Sequence, residues 1–327
     1  IADYVLHSGD DSKFGFPSDD NFKIRLAGND EFTISASAAV FNTTLAATSF
    51  NGIPFFTDTT NNSMYTHDVS ATDNTAANNT AYGFDALQGI TTGDNNTAIG
   101  RNAGGLLGSG NNNTLLGAFA GDAIAGGSHN IAIGFAALSA EDGNGNNIAI
   151  GSNALLVQNA GADAHNIAIG YEAGKSVSTG FENTIIGGLS GDALTTGLGN
   201  TTLGFKALST DTTGRYNVAI GHGTLENQAF TGNQEAYNTA VGYAAGNDIT
   251  TGTENVLIGG LTGDALTTGV ENTAIGHQAL SVAQTSHANV AIGHQSLASQ
   301  SADGYTFNTA VGYNSGQQVT SGSQQVM

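Results

Sequence analysis

The chain has 327 residues, a length that points to about two domains. Seven Lys and Arg face 27 Asp and Glu, and a net charge of −20 repels nucleic acid and anionic membrane surfaces, leaving cations such as Ca2+ as the plausible small partners. Cys is absent, so disulfides and redox compartment drop out of the argument, and no apolar run approaches the ~18 residues that a membrane insertion needs.

The segment 1–70 reads as a small all-β N-terminal module or collar. Short strands are expected at Tyr4–His7, Phe22–Leu26, Phe32–Ser35 and Ala39–Phe41, with turns at Ser8–Asp11, Pro17–Asp20 and Gly28–Asp30. Asp10, Asp11, Asp19 and Asp20 are the candidate Ca2+ ligands. The sequence opens on Ile1 without a leader-like stretch, which reads as a processed product or a piece of a longer chain.

From 71 to 327 the chain is a repeat. Its anchors are Asn79, Asn96, Asn113, Asn130, Asn147, Asn166, Asn183, Asn200, Asn217, Asn238, Asn255, Asn272, Asn289 and Asn308. The spacing is 17 residues except after Asn147, Asn217 and Asn289, where it is 19, 21 and 19. Such insertions leave the next unit intact, so they belong on one corner of a regular object. Each Asn is followed by Thr, Ile or Val, and then, two residues further on, by Ile, Leu, Val or Tyr82. This alternation gives a short strand with one buried face, Thr97 and Ile99 pointing one way and Ala98 the other. An invariant Gly follows (Gly100, Gly117, Gly134 and Gly187 among them) and marks a turn that needs positive φ or has no room for Cβ.

The eighth residue after Asn is only Leu or Gly, in alternating pairs. Where it is Gly, the eleventh is apolar (Leu107, Ile124, Leu194); where it is Leu, the eleventh is usually polar (Gln158, Asp211, Gln300). A large apolar group thus comes from one of two places, as a filled common core demands. The code defines a superperiod of four units: Asn96, Asn166, Asn238 and Asn308 are 70, 72 and 70 apart. Seventeen residues cannot hold two helices and a turn, so the units stack as coils of a parallel β-solenoid or β-roll, about 14 of them, with a rise of ~4.8 Å each and a total of roughly 65 Å. Asn96, Asn113, Asn130 and Asn183, with their sister anchors, form a structural ladder.

The Asn-x-Ala-Ile-Gly-x-x-Ala units resemble the head repeats of trimeric autotransporter adhesins, although those are about 14 residues long. Asn166–Gly174 and Asn238–Gly246, together with His7–Asp10, Phe14–Asp20 and Ala47–Gly52, are more similar to phage tail fibres. That resemblance implies a homotrimer on a virion or in the extracellular space that reaches or binds a host-surface glycan or protein. A bacterial adhesin or filament subunit is the alternative.

Little enzyme chemistry is legible. Among the eight His no metalloprotease, nucleophile-elbow or P-loop pattern occurs, so no catalytic activity and no cofactor is expected. His222, His277 and His294 share one position with Phe84, Phe135, Tyr171, Phe205, Tyr243 and Tyr313, just after the invariant Gly. This aromatic-sized column is the candidate binding surface: packing or a subunit contact on one reading, a sugar-stacking ladder on the other. Asp122, Asp192 and Asp264 read as turn caps, and lie too many coils apart to share an ion. An ice-binding face would require regular Thr rows, which break at Gly143–Asn144 and Thr285–Ser286.

Overall fold

A computed structural model describes residues 74–327 in full, Ser63–Tyr65 with side chains, and the backbone of the short strands between Tyr4 and Asp58. The chain divides into two compact units, Ile1–Phe55 and Phe56–Met327. In the first, Tyr4–Leu6, Lys13–Gly15, Phe22–Leu26 and Asn29–Ile34 form an antiparallel four-stranded sheet in sequence order. Asp10, Asp11, Asp19, Asp20 and the expected strand Ala39–Phe41 lie outside the described residues.

The second unit is a parallel β-solenoid of about 14 coils at a spacing of about 17 residues, and no helix occurs among the described residues. Each coil places three residues in one sheet, and consecutive coils pair in parallel with no register slip: Thr97 opposite Thr114, Ala98 opposite Leu115, Ile99 opposite Leu116. The sheet has 16 strands because Phe56–Asp58 and Ser63–Tyr65 continue it, the latter parallel to Thr80–Tyr82.

The middle residue of every coil strand is buried, and its two neighbours are half-buried or exposed. Ala98 and its equivalents therefore face inward, and the β-branched residues face outward. The small Ala leaves room for larger side chains from elsewhere in the coil. Leu87 and Leu138 come from the eighth position, and Leu107 and Ile124 from the eleventh. A third source was not evident in the repeat pattern. In the second coil of each Gly pair the strand centre is itself large: Leu115, Ile185 and Leu257. A Cβ on Gly104 would lie 2.7 Å from Leu115 Cδ1 and 2.9 Å from Leu87 Cδ2, so neighbouring coils fill the space that the missing side chain leaves.

Beyond the strand the chain turns through six or so residues in which left-handed and right-handed conformations alternate. The sixth and eighth residues after Asn have φ between about 50° and 60°, as in Asp85 (59°), Leu87 (54°), Asn102 (56°) and Gly104 (60°). Successive N–H groups then bond alternately within the coil and to a neighbour. Ala86 N–H bonds Gly83 O (3.3 Å), Leu87 N–H bonds Ala103 O of the next coil (3.0 Å), and Asn102 N–H bonds Phe84 O of the preceding one (2.8 Å). Backbone groups that would be orphaned in an ordinary loop are thereby paired.

The invariant Gly has both reasons for being Gly. Gly117 has φ 138°, and a Cβ there would lie 2.4 Å from Gly134 O. The Asn column runs through the unit as a chain of hydrogen bonds. Ser63 Oγ accepts Asn79 N–H (3.0 Å) at one end; Asn96 Oδ1 accepts Asn113 N–H (2.9 Å) within; Asn308 Oδ1 accepts Gln325 N–H (3.1 Å) at the other end. Each Nδ2 in a regular coil donates to the carbonyl fourteen residues on, as Asn113 does to Gly127 (2.9 Å). Several also donate to the preceding Asn, as Asn183 does to Asn166 Oδ1 (3.2 Å).

The polar eleventh residues lie inside the coil, not outside it. Gln158, Gln228 and Gln300, one in each coil that carries an insertion, are buried. Their Oε1 atoms accept the Nδ2 of the next Asn at 2.8, 2.9 and 3.2 Å. Asp211 is buried too. It is satisfied by the N–H groups of Thr213, Gly214 and Phe230 and by Gln228 Nε2 at 2.7 Å.

Candidate functional site

With the apolar core inside, the outer surface offers three columns. The first is the outward face of the parallel sheet. It carries only Thr, Ile, Val, Leu and one Tyr: Thr97 and Ile99, Ile148 and Ile150, Val218 and Ile220, Val290 and Ile292, and their equivalents. In a chain of charge −20, no charged side chain interrupts this stripe from Thr80 to Val311. Its members include Ile99, Leu116, Leu203, Ile258 and Val311, all more than a third exposed. A charge-free face of this extent, apolar apart from its Thr hydroxyls, exceeds the scattered exposed hydrophobics of an ordinary surface.

The second column borders that face just beyond the invariant Gly. Phe84, Phe135, Tyr171, Phe205, Tyr243 and Tyr313 are exposed there, with His222, His277 and His294 among them. The rings stack on one another in two runs. Phe205, His222 and Tyr243 have centroids 5.4 and 5.6 Å apart, and His277, His294 and Tyr313 have centroids 5.4 and 5.2 Å apart. Gly188 and Gly260 interrupt the column, and the adjacent Phe205 and His277 rings lie over them. Within each run the middle ring, His222 or His294, has a neighbouring ring on both faces, and each end ring has a ring on one face. Arg101 takes the ring position in the second coil and stands over Phe119, 5.3 Å from its centroid.

The third column lies at the opposite border, on the residue before each Asn. All of these residues but Gly199 are non-glycine and left-handed, among them Asn95 (59°), Asn112 (59°), Glu182 (58°), Glu254 (60°) and Glu271 (58°). The three Glu are exposed, as solvated edge charges should be. Five members carry rings instead: His129, His165, Tyr216, Tyr237 and Phe307. In the sequence these rings share one offset, the residue before the Asn anchor; the left-handed backbone that makes a ring costly there is visible only in the structure.

The first Thr hydroxyl of several Thr-Thr corners is used internally. Thr91, Thr195 and Thr250 donate to the next coil's carbonyls Gly108, Thr212 and Thr267 at 2.9, 2.8 and 3.1 Å. An ice-recognising array needs those groups free. Asp122, Asp192 and Asp264 each hold a buried Oδ1 without a hydrogen-bond partner, and burial pushes all three carboxyls above the usual range. Glu141, with a buried and unpartnered Oε2, is pushed up for the same reason. Among the described residues no three His, Asp or Glu converge as a metal site. No helix among them is long and apolar enough to cross a membrane. Family models, curated proteins and solved structures gave no match to this chain.

Proposed function

We propose that this protein is the subunit of an extracellular fibre, a tail fibre or similar appendage of a virion, in which copies of the chain associate side by side through the outward sheet face. One observation carries this reading: the charge-free stripe of Thr, Ile, Val and Leu along every coil. Exposed to water, it is an unstable surface. Against identical copies it is a seam, because every copy repeats at the same rise and the rungs align along the whole stack. Three copies with their stripes turned inward give a homotrimeric rod whose acidic and polar faces remain outside. The solenoid then serves as a stiff spacer, and attachment to a host surface falls to the corners that bear the insertions.

The experiment is the mass of the intact chain in solution, by light scattering, together with Ile150→Asp and Ile220→Asp. Both side chains point away from the coil interior, so the variants keep the β circular dichroism of the parent. The expected parent mass is three protomers, falling to one in the double variant, where each introduced carboxylate would be buried in the seam without a partner. A parent that runs as a clean monomer overturns the reading.

A further inference from the structure

The insertions after Asn147, Asn217 and Asn289 each end on a ring residue just before the next Asn: His165, Tyr237 and Phe307. All three are exposed and left-handed, with φ 52°, 49° and 53°. At this backbone position Asn is the economical residue, and Asn78, Asn95, Asn112 and Asn146 supply it elsewhere. A bulky aromatic side chain is strained there, and no core is gained in return, since the rings lie in solvent. Strain held at an exposed corner, where no burial in the core offsets it, points to use.

Two of the corners are built as platforms. Tyr216 and Tyr237, 40% and 49% exposed, stack with centroids 5.4 Å apart and planes 10° from parallel. Gly199 makes room beneath, where a Cβ would lie 2.7 Å from Tyr216 Cδ1. The next member of the column is Glu254, so Tyr237 has a ring on one side only. One hydrogen-bonding group touches the pair and others lie beside it in the chain. Glu235 Oε2 accepts the Tyr237 hydroxyl at 2.9 Å. Arg215, whose main chain bridges to Glu235, has a buried Nε without a hydrogen-bond partner, and its guanidinium makes no ion pair among the described residues. Asn233 lies on the same insertion, held to Thr196 at 3.3 Å. At the third insertion Tyr305 and Phe307 stack at 5.5 Å, and His287 meets Tyr305 edge-on at 4.9 Å. The two platforms sit on the same corner, four coils or roughly 19 Å apart.

From this geometry we infer that the insertion corner is a saccharide-binding face, and that its ligand is an extended neutral polysaccharide that touches both platforms. An exposed aromatic surface with the Glu235 carboxylate on a ring hydroxyl, and Arg215 and Asn233 on neighbouring stretches of chain, matches the C–H faces and hydroxyl rims of sugars. A neutral chain is not repelled by a net charge of −20. Two weak platforms on one polymer bind far more tightly than either alone. The inference rests on the surface-attachment part of the reading above, yet uses none of the residues of the apolar stripe.

The test is retention of the intact protein on immobilised dextran, mannan and galactan, with Tyr237→Ala, Phe307→Ala and the double variant. These side chains are exposed, so unfolding temperature and assembled mass stay unchanged. Retention by at least one polymer is expected, weakened about tenfold by each single change and abolished by the double change. Retention by none of the three, or equal retention of the double variant, overturns the inference. Binding only to polylysine also overturns it, assigning the carboxylates to a basic protein partner instead. A trimer without sugar binding sinks this inference alone; a monomer that still binds sugar sinks the fibre reading and leaves this one standing.

Discussion

Leu208 shows how one side chain reconciles two opposed demands. The eighth position requires a left-handed backbone, which costs an L-residue about 1–2 kcal/mol, and Leu208 adopts it at φ 54°. Full burial of the side chain returns about 1.5–3 kcal/mol. Glycine escapes the cost and forgoes the return; alanine bears the cost and gains little. This is why only Leu and Gly occur there. Leu208→Gly is therefore expected to unfold at a higher denaturant concentration than Leu208→Ala, reversing the order usual at a buried site. A second expectation concerns the ladder. Asn130 Oδ1 is the acceptor for the buried Asn147 N–H at 3.0 Å. Asn130→Ala leaves that donor unmet, and equilibrium unfolding should register a loss of about 1–3 kcal/mol.

At the scale of the coil, the Gly/Leu code means that neighbours are not interchangeable. Leu115 reaches into the space over both Gly104 and Gly121. Removing residues 113–129 alone deletes that filler, whereas removing residues 96–165 takes out a whole four-coil block and rejoins matching surfaces. We expect the longer deletion to keep the cooperative thermal transition of the parent, and the shorter one to broaden it or lower it by several degrees. The coil itself was legible from the sequence because Asn, Gly and the strand triplet recur at fixed offsets. The inward direction of Ala98 was not, because alternation names two faces and does not say which is buried. Nor was the interior place of Gln158 and Asp211, since polar residues read as surface unless their hydrogen-bond partners, here an Asn and main-chain N–H groups of adjacent coils, are in view. The column of rings was legible at His222, His277 and His294, while the strained rings at Tyr237 and Phe307 needed backbone angles to be recognised.

Across the whole molecule, charge and burial act in the same direction. The folded state raises the affinity of Asp122, Asp192, Asp264 and Glu141 for protons through desolvation. Groups whose folded values lie above their unfolded ones weaken the fold as pH climbs through that interval, and the penalty vanishes below it. Relief of the self-repulsion of a −20 chain adds to the trend. Melting temperature should thus rise as pH is lowered into the interval just above the ordinary carboxylate range, where these four groups take up protons in the folded state first, and Asp→Asn changes at 122, 192 and 264 together should flatten the slope there. A melting temperature that falls over that interval would contradict the sign.

The four-coil superperiod has a consequence for inheritance. Because blocks 70 and 72 residues long carry the same Gly/Leu code at either end, unequal recombination between the segments that encode them adds or removes a whole block while keeping the pattern at each joint. Length then changes in quanta of roughly 19 Å, each carrying one insertion corner with it. The gene behaves as a ruler whose graduations can be multiplied, so that reach and the number of contact points evolve together by copy number while the pattern at each joint stays the same.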